Sequence, residues 1–542
     1  MAHATLVLLT LSSGISTGLK AFGHFEETPF FKLFSPVLAA TTFVWFLYNY
    51  QIYPHFVSPL RHLPTAPGGL PVIGHVYARF QTPPCRDYLR FVKTVPNDGL
   101  IRLWNFWNTE SLIITNAKSI CEVLVTKSYD FEKAPKARST LHRILGEGLI
   151  VTEGDLHKYQ RKILNPYFGF RQVKDLYPVF WGKALSFSEV ILSKLQEQSP
   201  ANEKLPSGVV DVSPLASFMA LDTIGMALTG HDFNTLHHND DPLGRVYQYM
   251  STPNTMIKAV LSLNILFPRW VASVVLPVED RRISDRCAES RRLCFEMLRE
   301  KRANMKASGE ESPDILSKMI NSNMYTDDEM TDHLLTFVAA GHETTAAAFV
   351  WAVYHLAKHP GIQKRLRDEI RANVSLDPAH QNEAMSSMEH LPLLNAVLNE
   401  SLRLYPPVHQ NFRMAVRDTS ILGYPVLKGT YVVINNYVIN RSPDLWGPTA
   451  EEFIPERWID PETGKANKTG GASSVYANAT FSHGARSCIG QGFARAEFRS
   501  MLAAFVHTFE MEMADPDEVP FMLGNITIKP LNGMKLRLRV AA

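Results

Sequence analysis

The segment between Thr326 and Pro360 limits the fold of this chain more than any other. Thr326-Asp327-Asp328-Glu329 has the Ser/Thr-x-x-Glu form of a capping box, in which the first and fourth residues satisfy each other's free backbone N–H groups. The apolar sequence that follows contains no proline until Pro360, so it predicts one helix of more than thirty residues. Such a helix is about 50 Å long and traverses a whole domain. Its centre, Ala339-Ala340-Gly341-His342-Glu343-Thr344-Thr345, puts small and polar residues where a core helix should be apolar. Glycine costs about 1 kcal/mol against alanine in a helix interior, so the departure needs a reason. A second helix is predicted from Leu391, Leu394, Leu398 and Leu402, ending before Tyr405-Pro406-Pro407. Strand signals are fewer, among them Tyr431 to Ile434 and an Asn532-Gly533 hairpin signal. The expected fold class is mainly α with small β-sheets.

Lys and Arg total 55 against 53 Asp and Glu, a net +2, which excludes a nucleic-acid binder that relies on bulk charge. Apolar residues are 45% of 542, so a large core is expected. The five cysteines, Cys85, Cys121, Cys287, Cys294 and Cys488, are irregularly spaced and form neither a disulfide framework nor a zinc cluster. Cys287 and Cys294 are expected to pack within a helix.

Residues 33–53 contain 21 consecutive residues without a charge, with aromatics crowding the C-terminal end. That length crosses a ~30 Å hydrocarbon layer, and the aromatics suit a lipid interface. Residues 1–53 are therefore expected to be a membrane-anchor region; whether Ala4 to Leu19 forms a second span is left open. Five prolines between Pro54 and Pro71 make 54–72 a stiff connector, whose Arg61 and His62 favour a cytosolic body. Residues 73–542 form that body, with no internal repeat.

The segment Phe481-Ser482-His483-Gly484-Ala485-Arg486-Ser487-Cys488-Ile489-Gly490 carries the most chemistry. A cysteine just ahead of a helix sits near amide donors and a positive dipole end, which favour thiolate. The glycines let the backbone approach a large flat ligand, and Arg486 supplies a fixed cation.

Phe-x-x-Gly-x-Arg-x-Cys-x-Gly resembles the haem-binding loop of the cytochrome P450 family, and the resemblance extends from the connector to the C-terminus. It implies the P450 fold and a haem whose iron is bound by the Cys488 thiolate, with Phe481, Gly484, Arg486 and Gly490 around it. Glu400-Ser401-Leu402-Arg403 matches the family's Glu-x-x-Arg, and Phe453-Ile454-Pro455-Glu456-Arg457-Trp458 resembles its Pro-Glu-Arg-Phe segment with Trp for Phe. Glu400, Arg403 and Arg457 are thereby expected to form a buried structural cluster. Ala340-Gly341-His342-Glu343-Thr344-Thr345 resembles the oxygen-activation motif. Ala340 and Gly341 would leave room for dioxygen, and Glu343 and Thr344 would relay protons. His342-Glu343-Thr344-Thr345 also begins like a zinc-protease motif, but Ala346 stands where the second histidine belongs, and His342 is expected to pack or to face solvent. His157 and Arg161 stand where the family has Trp-x-x-x-Arg, and with Arg413 and Arg486 they are the implied holders of the haem propionates.

The resemblance implies a monooxygenase that inserts one atom of dioxygen into a small, mostly apolar organic substrate. Without a flavin domain or a dinucleotide motif in the chain, electrons are expected from an NADPH-cytochrome P450 reductase, with cytochrome b5 as a second candidate donor. That places the protein on the endoplasmic reticulum membrane with its body in the cytosol, Lys158 and Lys162 helping to dock the reductase. The substrate cavity falls by family position on Phe131 to Ile150, Phe337, Val408 to Phe412, and Leu531 to Met534. His409, Gln410 and Asn411 either face that cavity and a polar ligand or point into the sheet. The His157 departure and the Gly-Lys-x-Asn-Lys insertion before Phe481 suggest a fungal enzyme tailoring terpenoids, polyketides or alkaloids. Two other readings stand beside this one: a reductase-independent haem-thiolate isomerase, dehydratase or peroxygenase, and a non-catalytic membrane haem carrier or gas sensor.

Overall fold

A computed structural model describes residues 2–21, 27–199, 205–238, 241–251, 255–308, 314–377, 380–524 and 526–541. The long helix runs Asp327–Lys358 and is closed at its start by the expected capping box. Glu329 N–H donates to Thr326 Oγ1 at 3.2 Å, and Thr326 N–H donates to the Glu329 carboxylate at 2.8 Å. It stops at His359 because Pro360 opens the next helix, Pro360–Asn373. Leu334, Leu335, Phe349 and Val353 of the long helix are buried in one cluster with Met219, Ala220 and Ile224 of the Val212–Thr229 helix and Phe498, Leu502 and Phe505 of the Gln491–Thr508 helix. Val212–Thr229 is long and apolar enough to cross a membrane, but its best window is 72% buried and it forms part of this core. The leucine pattern predicted near Leu391 is the helix Pro392–Leu404, which ends at Tyr405.

A five-stranded sheet flanks the helices in the order Leu100–Trp104, Glu110–Ile114, Tyr431–Ile434, Asn411–Ala415, Phe131–Glu132. It carries the Val408 to Phe412 segment past the core. The Asn532-Gly533 signal does not make a hairpin. Lys529–Pro530 pairs with Met522–Leu523, whereas Lys535–Val540 joins a separate sheet between Ser207–Asp211 and Phe509–Met513. Gly533 (φ +76°) packs so closely on Asp211 that a Cβ would lie 2.1 Å from its carboxylate, and Met534 N–H donates to that carboxylate at 2.9 Å. This contact directs the chain out of one sheet into the other.

Near the N-terminus, Phe30–Val57 is a 28-residue apolar helix, only 6% buried over its best window. It starts before the predicted span and passes beyond Tyr53, because the last ten residues, Tyr48–Val57, wind as a wider π-helix that tolerates Pro54. The Pro54 carbonyl accepts from Arg102 Nη1 at 3.2 Å. The helix thus runs on into the first residues of the predicted 54–72 connector. A second helix, Ala2–Ala21, packs on the first through a 2.7 Å hydrogen bond between Ser12 and Thr41 hydroxyls. The two form an apolar hairpin of a kind that can serve as an anchor.

Candidate active site

The Cys488 loop is built from its own backbone. Cys488 N–H donates to the Phe481 carbonyl at 2.9 Å and Ser487 N–H to the Gly484 carbonyl at 3.1 Å. Gly484 (φ +68°) is required by its neighbour: a Cβ there would stand 2.2 Å from the Leu124 carbonyl oxygen. Gly490 caps the Gln491–Thr508 helix, and a Cβ there would meet nothing within 4 Å. Cys488 sits just before this helix with an accessible side chain, although protein rings it. Burial pushes its thiol up, opposed by the Gly490 N–H and the Arg161 cation, both of which favour the thiolate. Cys85 and Cys294, buried and pushed up to about 12, are packing residues.

Phe481, Ile489 and Ala339 all pack against the same apolar cluster, which joins the Cys488 loop to the centre of the long helix. There Ala340 is exposed and Glu343 and Thr344 are half-buried, between buried stretches on either side. Thr344 Oγ1 donates to the Ala340 carbonyl at 2.9 Å. Glu343 is ion-paired with Lys529 Nζ at 3.0 Å. Gly341 has a packing reason of its own, since a Cβ would lie 2.8 Å from Ile224 Cδ1. Of the two roles left open for His342 the structure shows packing: it is buried with Nδ1 2.8 Å from the Val338 carbonyl and its ring edge-on to Tyr247.

Arg486, Arg413 and His157 converge on a group that the sequence reading left incomplete. Arg486 Nη2 pairs with Glu153 at 2.6 Å, and the opposite oxygen of Glu153 accepts from the backbone N–H and Nζ of Lys133 at 2.9 and 3.0 Å. Although burial works against ionisation, Lys133, Arg486 and Arg413 hold the Glu153 carboxyl at about 2. Burial lowers Lys133 to about 8 and Arg413 to about 10. Three desolvated cations thus share one carboxylate, and two positive charges lack a counter-ion among the described residues. The two propionates of a haem match this surplus, and the accessible thiolate-forming sulfur matches its iron, so the residues present fit the group.

His157 donates to or accepts from the Tyr129 hydroxyl at 3.2 Å, and Arg486 lies 4.7 Å over the Tyr129 ring. Burial, reinforced by the charge of Arg486, lowers His157 to about 4, so it is a neutral imidazole at pH 7. Arg161 stands apart from this group. It donates to the Ser487 carbonyl and to Asn165 Oδ1, beside Cys488. Lys133, Glu153 and Tyr129 were missed because no motif marks them; Glu153 adjoins the Gly154 to Arg161 stretch, which was the available signal. Arg161, Lys158 and Lys162 line an open depression of about 380 Å³ beside Gly484 and Ala485.

Glu400, Arg403 and Arg457 meet in the interior. Arg403 grips Glu400 with two 2.8 Å hydrogen bonds, Arg457 Nε adds one at 2.9 Å, and Trp458 Nε1 and the Ile454 N–H complete the shell at 2.9 and 3.0 Å. Arg403 spends its other donors on the carbonyls of Asn440, Ala450 and Glu452. The cluster ties the Pro392–Leu404 helix to the loop that leads to Cys488.

The Cytochrome P450 family model matches residues 64–536. The chain is 40% identical over 508 residues to the cytochrome P450 monooxygenase sphH of Aspergillus fumigatus, covering 92% of each chain. It is 34% identical to ptmK of Penicillium ochrochloron (92% of this chain, 96% of the relative) and 37% identical to abl5 of Leptosphaeria maculans (94% and 93%), both also cytochrome P450 monooxygenases. With the family model matched over most of its length and relatives of 34–40% identity covering it almost end to end, the chain belongs to the cytochrome P450 family of haem-thiolate oxidoreductases.

Proposed function

We propose that residues 73–542 catalyse insertion of one oxygen atom from dioxygen into a small, mostly apolar organic molecule of fungal secondary metabolism. The observation that carries the reading is the accessible Cys488 on the same apolar core as the Glu343–Thr344 pair. A haem bound by Cys488, with propionates on Lys133, Arg413 and Arg486, would supply the reductive activation of dioxygen. This chain's residues do the rest. Ala340 leaves an accessible gap at the middle of the helix, and the Thr344 hydroxyl beside it can hold a water by its free lone pairs. Glu343 can then pass protons to that water, while Lys529 holds its carboxylate at the helix surface. Reductive activation of dioxygen consumes protons, so an acid–alcohol pair in this position supports it and weighs against a reductase-independent isomerase, dehydratase or peroxygenase and against a gas carrier.

Electrons come from an NADPH-dependent reductase, with cytochrome b5 as the alternative donor, docking over the Lys158 and Lys162 depression. The Phe30–Val57 helix holds the body on the cytosolic face of the endoplasmic reticulum. The test is co-expression with a reductase in a fungal host lacking the pathway, seeking a product that gains one oxygen. Thr344→Ala should keep substrate binding and divert most of the NADPH consumed to peroxide. Product formation that is unchanged without reductase would contradict the reading.

A further inference from the structure

The first two helices are built inside out. On Ala2–Ala21, Leu6, Leu11 and Ile15 face outward at 44 to 62% exposure, whereas Ser12 and Ser16 are fully buried. The next helix does the same: Phe31, Phe43 and Val44 face outward at 62 to 80%, and Leu33 is the one buried residue of Phe30–Leu47. A helix pair in water puts its apolar residues in the seam and its hydroxyls outside. This pair reverses that order. The reversal suits a hydrocarbon surround, where helices associate through close packing and interhelical hydrogen bonds instead of through burial of leucines.

The hydroxyls in the seam are satisfied within the hairpin. Ser12 and Thr41 lie 2.7 Å apart across it, Ser12 Oγ is 2.6 Å from the Leu8 carbonyl, and Thr41 Oγ1 is 2.9 Å from the Val37 carbonyl. One hydroxyl therefore donates across the seam while the other donates to its own helix. Ser16 Oγ donates to the Ser12 carbonyl at 2.7 Å, and on the outer face Thr10 Oγ1 donates to the Leu6 carbonyl at 2.9 Å. A lipid interior demands this closure, because it holds no water to take the bonds. Length and charge agree. Ala2–Ala21 has 20 residues, about 30 Å of helix, which matches the hydrocarbon thickness. Residues 2–19 contain no Lys, Arg, Asp or Glu, and Lys20, Glu27 and Lys32 stand at the turn between the helices. At the other end Phe46 packs edge-on against Trp107 of the body, and Asn108 Nδ2 donates to the Tyr50 carbonyl at 3.0 Å. Charges thus mark one end of the hairpin and aromatics the other.

We infer that Ala2–Ala21 crosses the membrane together with Phe30–Val57 as a helical hairpin whose outer faces are covered by lipid acyl chains. The Ala2 end and the catalytic body then lie on the same side, and only the turn around Glu27 reaches the other. The inference rests on the anchor reading above, which takes Phe30–Val57 as a span; one span alone would put the Ala2 end opposite the body. Eight of the 20 residues of Ala2–Ala21 are Ser, Thr or Gly, so this helix is poorly suited to enter lipid by itself. Its entry is favoured by the second helix, which pairs with Ser12 and seals Ser16.

The test uses the full chain in microsomes of a fungal host, in three forms that each carry one added Asn-x-Ser/Thr glycosylation acceptor. The acceptor stands on a polar spacer ahead of Met1, on the same spacer after Ala542, or in a long polar loop inserted between Glu27 and Thr28; the unmodified chain is the control. The turn acceptor should give a gel shift that endoglycosidase reverses, and the two terminal acceptors should give none. A glycan ahead of Met1 with none after Ala542, or loss of the leading acceptor by cleavage, means one span or a signal sequence and overturns the inference. So does a bare acceptor at all three positions in protein that resists alkaline carbonate. Glycans at both termini with a bare turn keep the hairpin and reverse the cytosolic orientation proposed for the body. Release by alkaline carbonate overturns the anchor reading along with the inference, whether the protein leaves as a monomer or with its apolar faces covered by a second copy.

Discussion

Glu400→Gln removes one charge and changes almost no volume, so it isolates the electrostatics of the interior cluster. Glu400 and Arg403 side chains are both 0% exposed, and Glu400 accepts five hydrogen bonds, three of them from guanidinium groups. Burial alone would raise the Glu400 carboxyl, yet Arg403 and Arg457 hold it below its ordinary value, so the pair is ionised. Neutralising it strands the Arg403 cation, which keeps three backbone carbonyls but no anion. Breaking a buried pair in this way costs about 3–5 kcal/mol, or two to nearly four decades in the folding equilibrium. The comparison is Glu296→Gln, which disrupts a pair whose side chains are 59% and 54% exposed and should cost less than about 1 kcal/mol. Urea-gradient pulse proteolysis of the haem-loaded protein reads both. Glu400→Gln with Arg403→Met should recover part of the loss, because the stranded cation goes with its partner. A Glu400→Gln protein within 1 kcal/mol of wild type would refute the reasoning.

Three further outcomes follow from the same geometry. His157 and His333 are lowered to about 4, chiefly by burial, from 6.5. The unfolded chain therefore takes up protons that the folded protein refuses, and stability should fall as the pH drops from 6.5 towards 4; His333→Gln should reduce that slope by about 1.4 kcal/mol per pH unit, as read by unfolding at a series of pH values. Glu153, held at about 2, adds stability that is present above 4.5 and lost below it, so Glu153→Gln should flatten the acid limb between 4.5 and 2. Gly484→Ala must accommodate both φ +68° and a 2.2 Å approach to Leu124 and should abolish folded holoprotein on expression, whereas Gly490→Ala, with open space around it, should leave the protein's folding unchanged.

Much of this was legible in the chain because some signals are local. The capping box and Pro360 bound the long helix, and the leucine spacing bounded Pro392–Leu404, since both depend on hydrogen bonds and faces within a few residues. Asn532-Gly533 misled because a turn signal says nothing about which sheet receives the next strand; that was decided by Asp211, more than three hundred residues away. Lys133 and Glu153 went unseen for a similar reason, being joined by an ion pair across twenty residues and completed by Arg486 from far along the chain. Gly341 was readable as an anomaly, but its packing cause, Ile224, belongs to another helix. The apolar helix Phe30–Val57 overruns the uncharged stretch 33–53 by a few residues at each end, at its C-terminal side through a π-turn that lets Pro54 remain helical.

The proposed bond between the Cys488 thiolate and haem iron is tested most directly by its spectrum. Full-length protein reconstituted with haem, reduced and exposed to carbon monoxide, should give the strongly red-shifted Soret band of thiolate ligation, and Cys488→His should move it to the position seen in histidine-ligated globins. A wild-type spectrum already at the globin position, or one that Cys488→His leaves untouched, would contradict it.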